Sequence, residues 1–200
     1  MIGFILEYKK FSIDHLKHII NAAWHIKGFV SIVGKDSYFY LLHFEFLDDL
    51  THISNDGPWL LDGALFVLEK WRPNLVLSRL QLSYVSLCIQ LHGLPFEYQY
   101  PELAEKMGQL MGIFERVVWE DCMPRNIRFM WIRVRIDPWL PVVSGFMLRL
   151  DGVSKFCIQC RYDRVHKLCN RCGLIGHTRS QCTYCMDDIE MMLFWQWYRI

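Results

Sequence analysis

Val85-Ser86-Leu87-Cys88-Ile89-Gln90-Leu91-His92-Gly93-Leu94-Pro95 alternates strictly until it stops. Val85, Leu87, Ile89 and Leu91 fall on one side of an extended chain, and Ser86, Cys88 and Gln90 on the other. That pattern predicts a strand with one face on a core and one face polar. Gly93-Leu94-Pro95 ends it. Downstream, Pro101 suits the first position of a helix whose apolar stripe is Leu103, Met107, Leu110 and Met111. Phe114–Glu120 and Arg128–Ile136 read as strands. In the second, Met130, Ile132, Val134 and Ile136 face the core, and Phe129, Trp131, Arg133 and Arg135 face away. Phe146–Leu150 and Phe156–Tyr162 read as a closing hairpin around Asp151-Gly152. The result is a βαββ unit over residues 84–166 that ends in a hairpin.

Upstream, residues 1–74 read as βαββαβ. Ile2–Tyr8 is the first strand. Ser12 caps a helix with the stripe Ile13, Leu16, Ile19/Ile20 and Ala23. Gly28–Val33 and Tyr38–Phe46 are strands around a Gly34-Lys35-Asp36 turn, and Tyr38, Tyr40, Leu42, Phe44 and Phe46 share a face. A short helix at Leu47–Ser54 is broken by Gly57-Pro58-Trp59. Asp62-Gly63 is a further hairpin signal, and Ala64–Trp71 is the last strand. Leu75–Ser83 is a linker. The predicted fold class is therefore α+β: two RRM-like, or ferredoxin-like, βαββ units, each an open four-stranded sheet with helices on one face.

The chain has 200 residues, 52% hydrophobic and 22% charged, enough apolar material for a core in each unit. No apolar run reaches the 18 residues that a membrane span needs, so no membrane partner is expected. Met1–Phe11 lacks the small-residue cleavage site of a secretory signal. Cysteine spacing of the metal type, without such a signal, points to a reducing, intracellular setting, with nucleus and cytoplasm undistinguished.

Residues 167–183 contain Cys169-Asn170-Arg171-Cys172-Gly173-Leu174-Ile175-Gly176-His177-Thr178-Arg179-Ser180-Gln181-Cys182. This is C-x2-C-x4-H-x4-C. Three thiolates and one imidazole are the ligand set of a closed tetrahedral zinc site, so Cys169, Cys172, His177 and Cys182 are the expected Zn2+ ligands. Such a short loop has almost no core, and bound metal would supply most of its folding free energy. A closed site leaves no position for a reacting ligand, which argues for binding rather than zinc catalysis. Gly173 and Gly176 stand where the chain must turn around the metal. Cys157 and Cys160 lie three apart on a strand, point to opposite faces and are not expected to share an ion. Cys182 and Cys185 form one more C-x2-C pair, and Cys88 and Cys122 are isolated.

Charge is unevenly spread. Net charge is only +1, but residues 151–182 carry Lys155, Arg161, Arg164, Lys167, Arg171 and Arg179 against Asp151 and Asp163. A cationic field around the knuckle and an aromatic sheet face fit a nucleic-acid strand. Trp131 would stack on bases, and Arg133, Arg135 and Arg161 would hold phosphate. The same face could instead be covered by the first unit, or be amphipathic sheet surface with cross-strand pairs.

Gly57-Pro58-Trp59-Leu60-Leu61-Asp62-Gly63 and Val67-Leu68-Glu69-Lys70-Trp71-Arg72-Pro73 resemble a plant domain of unknown function that precedes a zinc knuckle. Ile89-Gln90-Leu91-His92-Gly93-Leu94-Pro95, the Gly112 segment, Arg133-Val134-Arg135-Ile136-Asp137 and the Cys169–Cys182 spacing continue the resemblance. Proteins of this kind occur in the first open reading frame of plant LINE-type retroelements and in host genes derived from them. The resemblance implies zinc binding and binding of RNA or single-stranded nucleic acid, without catalysis. Asn170 stands where such knuckles usually carry an aromatic. The knuckle is therefore expected to contribute charge through Lys167, Arg171 and Arg179, with Ile175 as a small apolar contact.

Two functions follow. One is zinc-dependent binding of RNA or single-stranded DNA. The other is a protein-interaction or assembly module, with self-association open, the knuckle as a structural clip and the aromatic tail of residues 184–200 as a docking helix. The chain has no Walker loop, G-x-S-x-G or H-E-x-x-H motif, and the acid pairs Glu120-Asp121 and Asp48-Asp49 read as solvated turn or helix residues, so no enzyme is expected.

Overall fold

The computed structural model describes residues 1–7, 10–77, 80, 82–118, 127–150 and 154–198. It is a mixed α+β chain with two antiparallel sheets and, among the described residues, four α-helices. Two compact units form. The first comprises Met1–Leu82 with Arg164–Cys169 and Ile175–Gln181; the second comprises Ser83–Asp163 with Asn170–Leu174 and Cys182–Ile200. No described helix is long and apolar enough to cross a membrane.

In the first unit β1 (Ile2–Leu6), α1 (Ile13–Ala23), β2 (Val30–Asp36), β3 (Phe39–Phe44), α2 (Leu47–Asp56), β4 (Trp59–Leu61) and β5 (Ala64–Glu69) follow in order. The sheet runs β2-β3-β1-β5-β4. β1 is central because both neighbours pair with it, Gly3 opposite Tyr40 and Ile5 opposite Phe66. Ser12 caps α1, its Oγ accepting from the His15 N–H at 3.2 Å, and the helix buries Leu16 and Ile20 completely. These meet Ile5, Tyr40, Leu42, Phe66 and Ile53 in one core. Tyr40 is fully buried, yet its hydroxyl donates to the Phe11 carbonyl at 2.7 Å and accepts from the Phe11 N–H, so its polar end is satisfied.

Three expectations need correction here. The sheet has five strands rather than four, because Trp59–Leu61 forms β4 and turns onto β5 through Asp62-Gly63. Both turn residues have positive φ, 47° and 78°, as a type I′ hairpin requires. Gly34-Lys35-Asp36 is not the β2–β3 turn. β2 runs through it, a bulge falls between Ile32 and Gly34, and Ser37, φ 53°, makes the turn. Asp49 is not solvated: it is 4% exposed and accepts the Lys27 and Gly28 N–H groups at 3.0 and 2.9 Å. Those two hydrogen bonds, set against partial burial, keep its carboxyl below the usual range.

The second unit contains β6 (Val85–His92), α3 (Pro101–Gln109), β7 (Ile113–Val117), β8 (Phe129–Ile136), β9 (Gly145–Leu150), β10 (Ser154–Tyr162) and α4 (Met186–Tyr198). Its sheet runs β7-β8-β6-β10-β9, the first sheet's order repeated strand for strand. The alternation of β6 is realised, with Leu87, Ile89 and Leu91 at 0% exposure. α3 begins at Pro101 and packs on β7 and β8, but Ala104, Met107 and Gly108 make the buried stripe, and Leu110 is exposed. Where α2 joins β3 to β4, residues 137–144 join β8 to β9 without a helix. The expected turn at Asp151-Gly152, the acids Glu120-Asp121 and Cys122 lie outside the described residues.

Candidate metal centre and sheet surface

The knuckle loop closes on itself. Leu168 and Ile175 form an isolated antiparallel bridge, and the Gly176 N–H donates to the Lys167 carbonyl at 2.8 Å. Gly173 and Gly176 turn the chain at φ 74° and 102°, conformations that cost a side-chain-bearing residue 1–2 kcal/mol or so. A Cβ at Gly176 would also lie 3.0 Å from the Leu6 carbonyl oxygen. The loop thereby brings one donor atom each from Cys169, Cys172, His177 and Cys182 within 4.8 Å of one another. Cys169, Cys172 and His177 are buried at 0%, 2% and 2% exposure. Burial lowers the His177 imidazole below its ordinary pKa and keeps it neutral, the form that ligates. The four residues expected from spacing are thus brought together and could hold a metal ion.

The remaining described cysteines stay apart from this cluster. Cys185 caps α4: its N–H and its thiol both meet Asp188 Oδ2, at 3.1 and 3.0 Å. Cys157 is exposed on β10, while Cys160 points to the opposite face, where burial pushes its thiol up to about 12.

The residues expected to meet nucleic acid differ in their surroundings. Arg161, Arg171 and Arg179 are exposed. Arg133 and Arg135 are ion-paired with Glu115 at 3.2 and 2.9 Å, and Ser86 Oγ donates to the same carboxylate at 2.8 Å. Burial would raise the Glu115 carboxyl, but the Ser86 and Arg135 hydrogen bonds and both guanidinium charges outweigh it and hold it low. Lys167 is ion-paired with the buried carboxylate of Glu7, and Ile175 is 9% exposed beside Leu6 and Leu65. Trp131 is half-buried, with its Nε1 enclosed and without an acceptor among the described residues.

Sequence reasoning placed Phe129 on the outward face but did not pair it with His92. They are direct register partners on β6 and β8, with ring centroids 4.6 Å apart, and Phe129 stacks on Trp131 at 6.1 Å and 20°. Burial, with Arg161 nearby, lowers the His92 pKa. Each residue alone carries no signal; the pairing exists only once the register is known.

Residues 1–79 match the family described as Domain of unknown function (DUF4283), so the match covers the first sheet and stops before β6. Over 138 residues, 68% of this chain, the sequence is 26% identical to the Arabidopsis thaliana "Uncharacterized protein At4g02000". The chain spans 43% of that relative's length, less than half. A plant domain of unknown function is therefore what the N-terminal part resembles.

Proposed function

We propose that this chain binds single-stranded RNA, and that a zinc ion held by Cys169, Cys172, His177 and Cys182 fixes the C-terminal loop for that purpose. The observation that carries this reading is the convergence of three thiols and one imidazole in a loop that presents Arg171 and Arg179 to solvent. Soft thiolate donors favour zinc over the hard oxygen-seeking cations. Bonds of about 2.0–2.3 Å imply donor–donor edges of roughly 3.3–3.8 Å, so the loop need contract by only about 1 Å to close on the ion. When bound, the zinc would supply structure and no chemistry. Each sheet has a central first strand flanked by the third and the last, the arrangement of RRM-like units, which supports the same reading. The quoted resemblance supports a retroelement origin.

A second reading makes the knuckle a clip within a protein-interaction module. Burial of Leu174 and Ile175 and the close approach of Gly176 to Leu6 favour it. Salt separates the two. Each phosphate contact adds about 0.7 to the slope of log affinity against log salt for single strands. Arg171→Gln with Arg179→Gln should flatten that slope by about 1–1.5 while zinc content stays unchanged. An unchanged slope would favour the clip. Equal zinc in wild type and Cys172→Ser, by mass spectrometry, would remove the ligand assignment.

A further inference from the structure

We infer that single-stranded nucleic acid lies across the non-helical face of the second sheet, its bases on the His92–Phe129 ring pair and its phosphates along Arg161, Lys155 and Arg149. This rests on the proposed nucleic-acid reading and moves the interface away from Arg133 and Arg135.

The two sheets share a strand order but not a surface. On the non-helical face of the first sheet, the central residues Ile2, Leu6, Leu65 and Val67 are apolar and 2–7% exposed, so its centre presents no cation or free ring. On the same face of the second, β10 presents Lys155, Cys157, Gln159 and Arg161, all exposed. Gln159 sits opposite His92 and Arg161 opposite Gln90, so the cations of β10 run beside the rings. Arg161 and Lys155 are six residues apart on one face, about 20 Å at strand rise, long enough for a few nucleotides.

An independent observation points to an anionic ligand. Lys155 lies directly opposite Arg149 in the β9–β10 register, both exposed, and neither has an acidic partner among the described residues. Like charges in direct cross-strand register destabilise a sheet. A bound phosphate would convert that repulsion into attraction. Arg133 and Arg135 are less available, because both are already engaged by the one Glu115 carboxylate.

The test uses the full zinc-loaded chain and a labelled single-stranded RNA, the DNA of the same sequence and an RNA duplex, each at two salt concentrations. Phe129→Ala should weaken single-strand binding roughly 5- to 150-fold, the loss of one stacked base, and Phe129→Trp should retain it. Lys155→Gln with Arg149→Gln should flatten the salt slope by about 1.4 and, without ligand, raise the melting temperature. Arg135→Gln should leave the slope unchanged. Binding to RNA and DNA alike supports a track that reads their shared chemistry; preference for the duplex overturns it. If wild type binds with a steep salt slope but Lys155→Gln/Arg149→Gln is unaltered in slope, this track is wrong and the broader reading stands. If wild type shows no salt-dependent binding, both fall.

Discussion

The Lys167 ammonium is ion-paired with the carboxylate of Glu7, whose side chain is only 4% exposed. The other Glu7 oxygen, Oε2, is buried without a partner among the described residues. Lys167 therefore neutralises a charge that the first unit has taken out of water, and a phosphate could claim it only by leaving Glu7 uncompensated. This separates Lys167 from Arg171 and Arg179, although all three belong to one basic segment.

Lys167→Ala should accordingly lower stability by about 3–5 kcal/mol, the cost of orphaning a buried charge. Lys167→Met with Glu7→Gln should recover most of it. Urea midpoints measure both. A Lys167→Ala variant of unchanged midpoint but weaker RNA affinity would reverse the assignment.

Arg164 holds the Gly57-Pro58-Trp59 corner. Its Nη1 donates to the Asp56 and Pro58 carbonyls at 2.6 and 3.1 Å, and its guanidinium lies 5.3 Å from the Trp59 ring. Arg164→Ala should cost about 1–3 kcal/mol, and Arg164→Lys should rescue it poorly because an ammonium cannot lay a planar group against the Trp59 ring while reaching both carbonyls. The Trp59 indole N–H, which donates to the Ile53 carbonyl at 2.9 Å, is a local reporter: its NMR resonance should shift in both variants.

Glu115 predicts an acid limb. Its folded pKa is depressed, so its stabilisation is fully present above the unfolded value of about 4.3 and is lost as pH falls through the folded value. Glu115→Gln should lose stability at neutral pH and flatten the dependence below about pH 4.5. Urea titrations at several pH values measure this; parallel curves for variant and wild type would show that Glu115 does not set that limb.

Thiol labelling should divide β10 by face. With its thiol pushed up to about 12 by burial, Cys160 carries almost no thiolate near neutrality. Iodoacetamide in the native state should modify exposed Cys157 and Cys185 and spare Cys160, with mass spectrometry of the peptides as readout. Labelling of Cys160 as fast as Cys157 would contradict the assigned faces.

What the sequence disclosed was local. The Cys169, Cys172, His177 and Cys182 cluster was legible because all four residues sit within one short loop, where spacing nearly determines geometry. Strand faces were legible where alternation was strict, as in β6. Pairing across distance was not. Nothing in Glu115 announces that it meets Arg133 and Arg135; a register shift between Phe114 and Arg116 brings it to that face, and a bulge leaves little trace in composition. Gly34 misled for the same reason, since glycine marks bulges as well as turns. Lys167 read as a free cation because its partner Glu7 stands at the other end of the chain.

The division of the first unit between both ends of the chain has a consequence during synthesis. Its sheet can close as soon as β5 leaves the ribosome, because β1 then has both neighbours. The segments Arg164–Cys169 and Ile175–Gln181 that complete the unit emerge only after the whole second sheet has been translated. Until then Leu6 and Leu65 lack Ile175 beside them and Glu7 lacks its counter-ion, so the nascent domain carries an adhesive apolar spot with an unneutralised carboxylate at its margin. Chains halted before Arg164 should therefore aggregate more readily than the full chain, as light scattering of a truncated variant would measure.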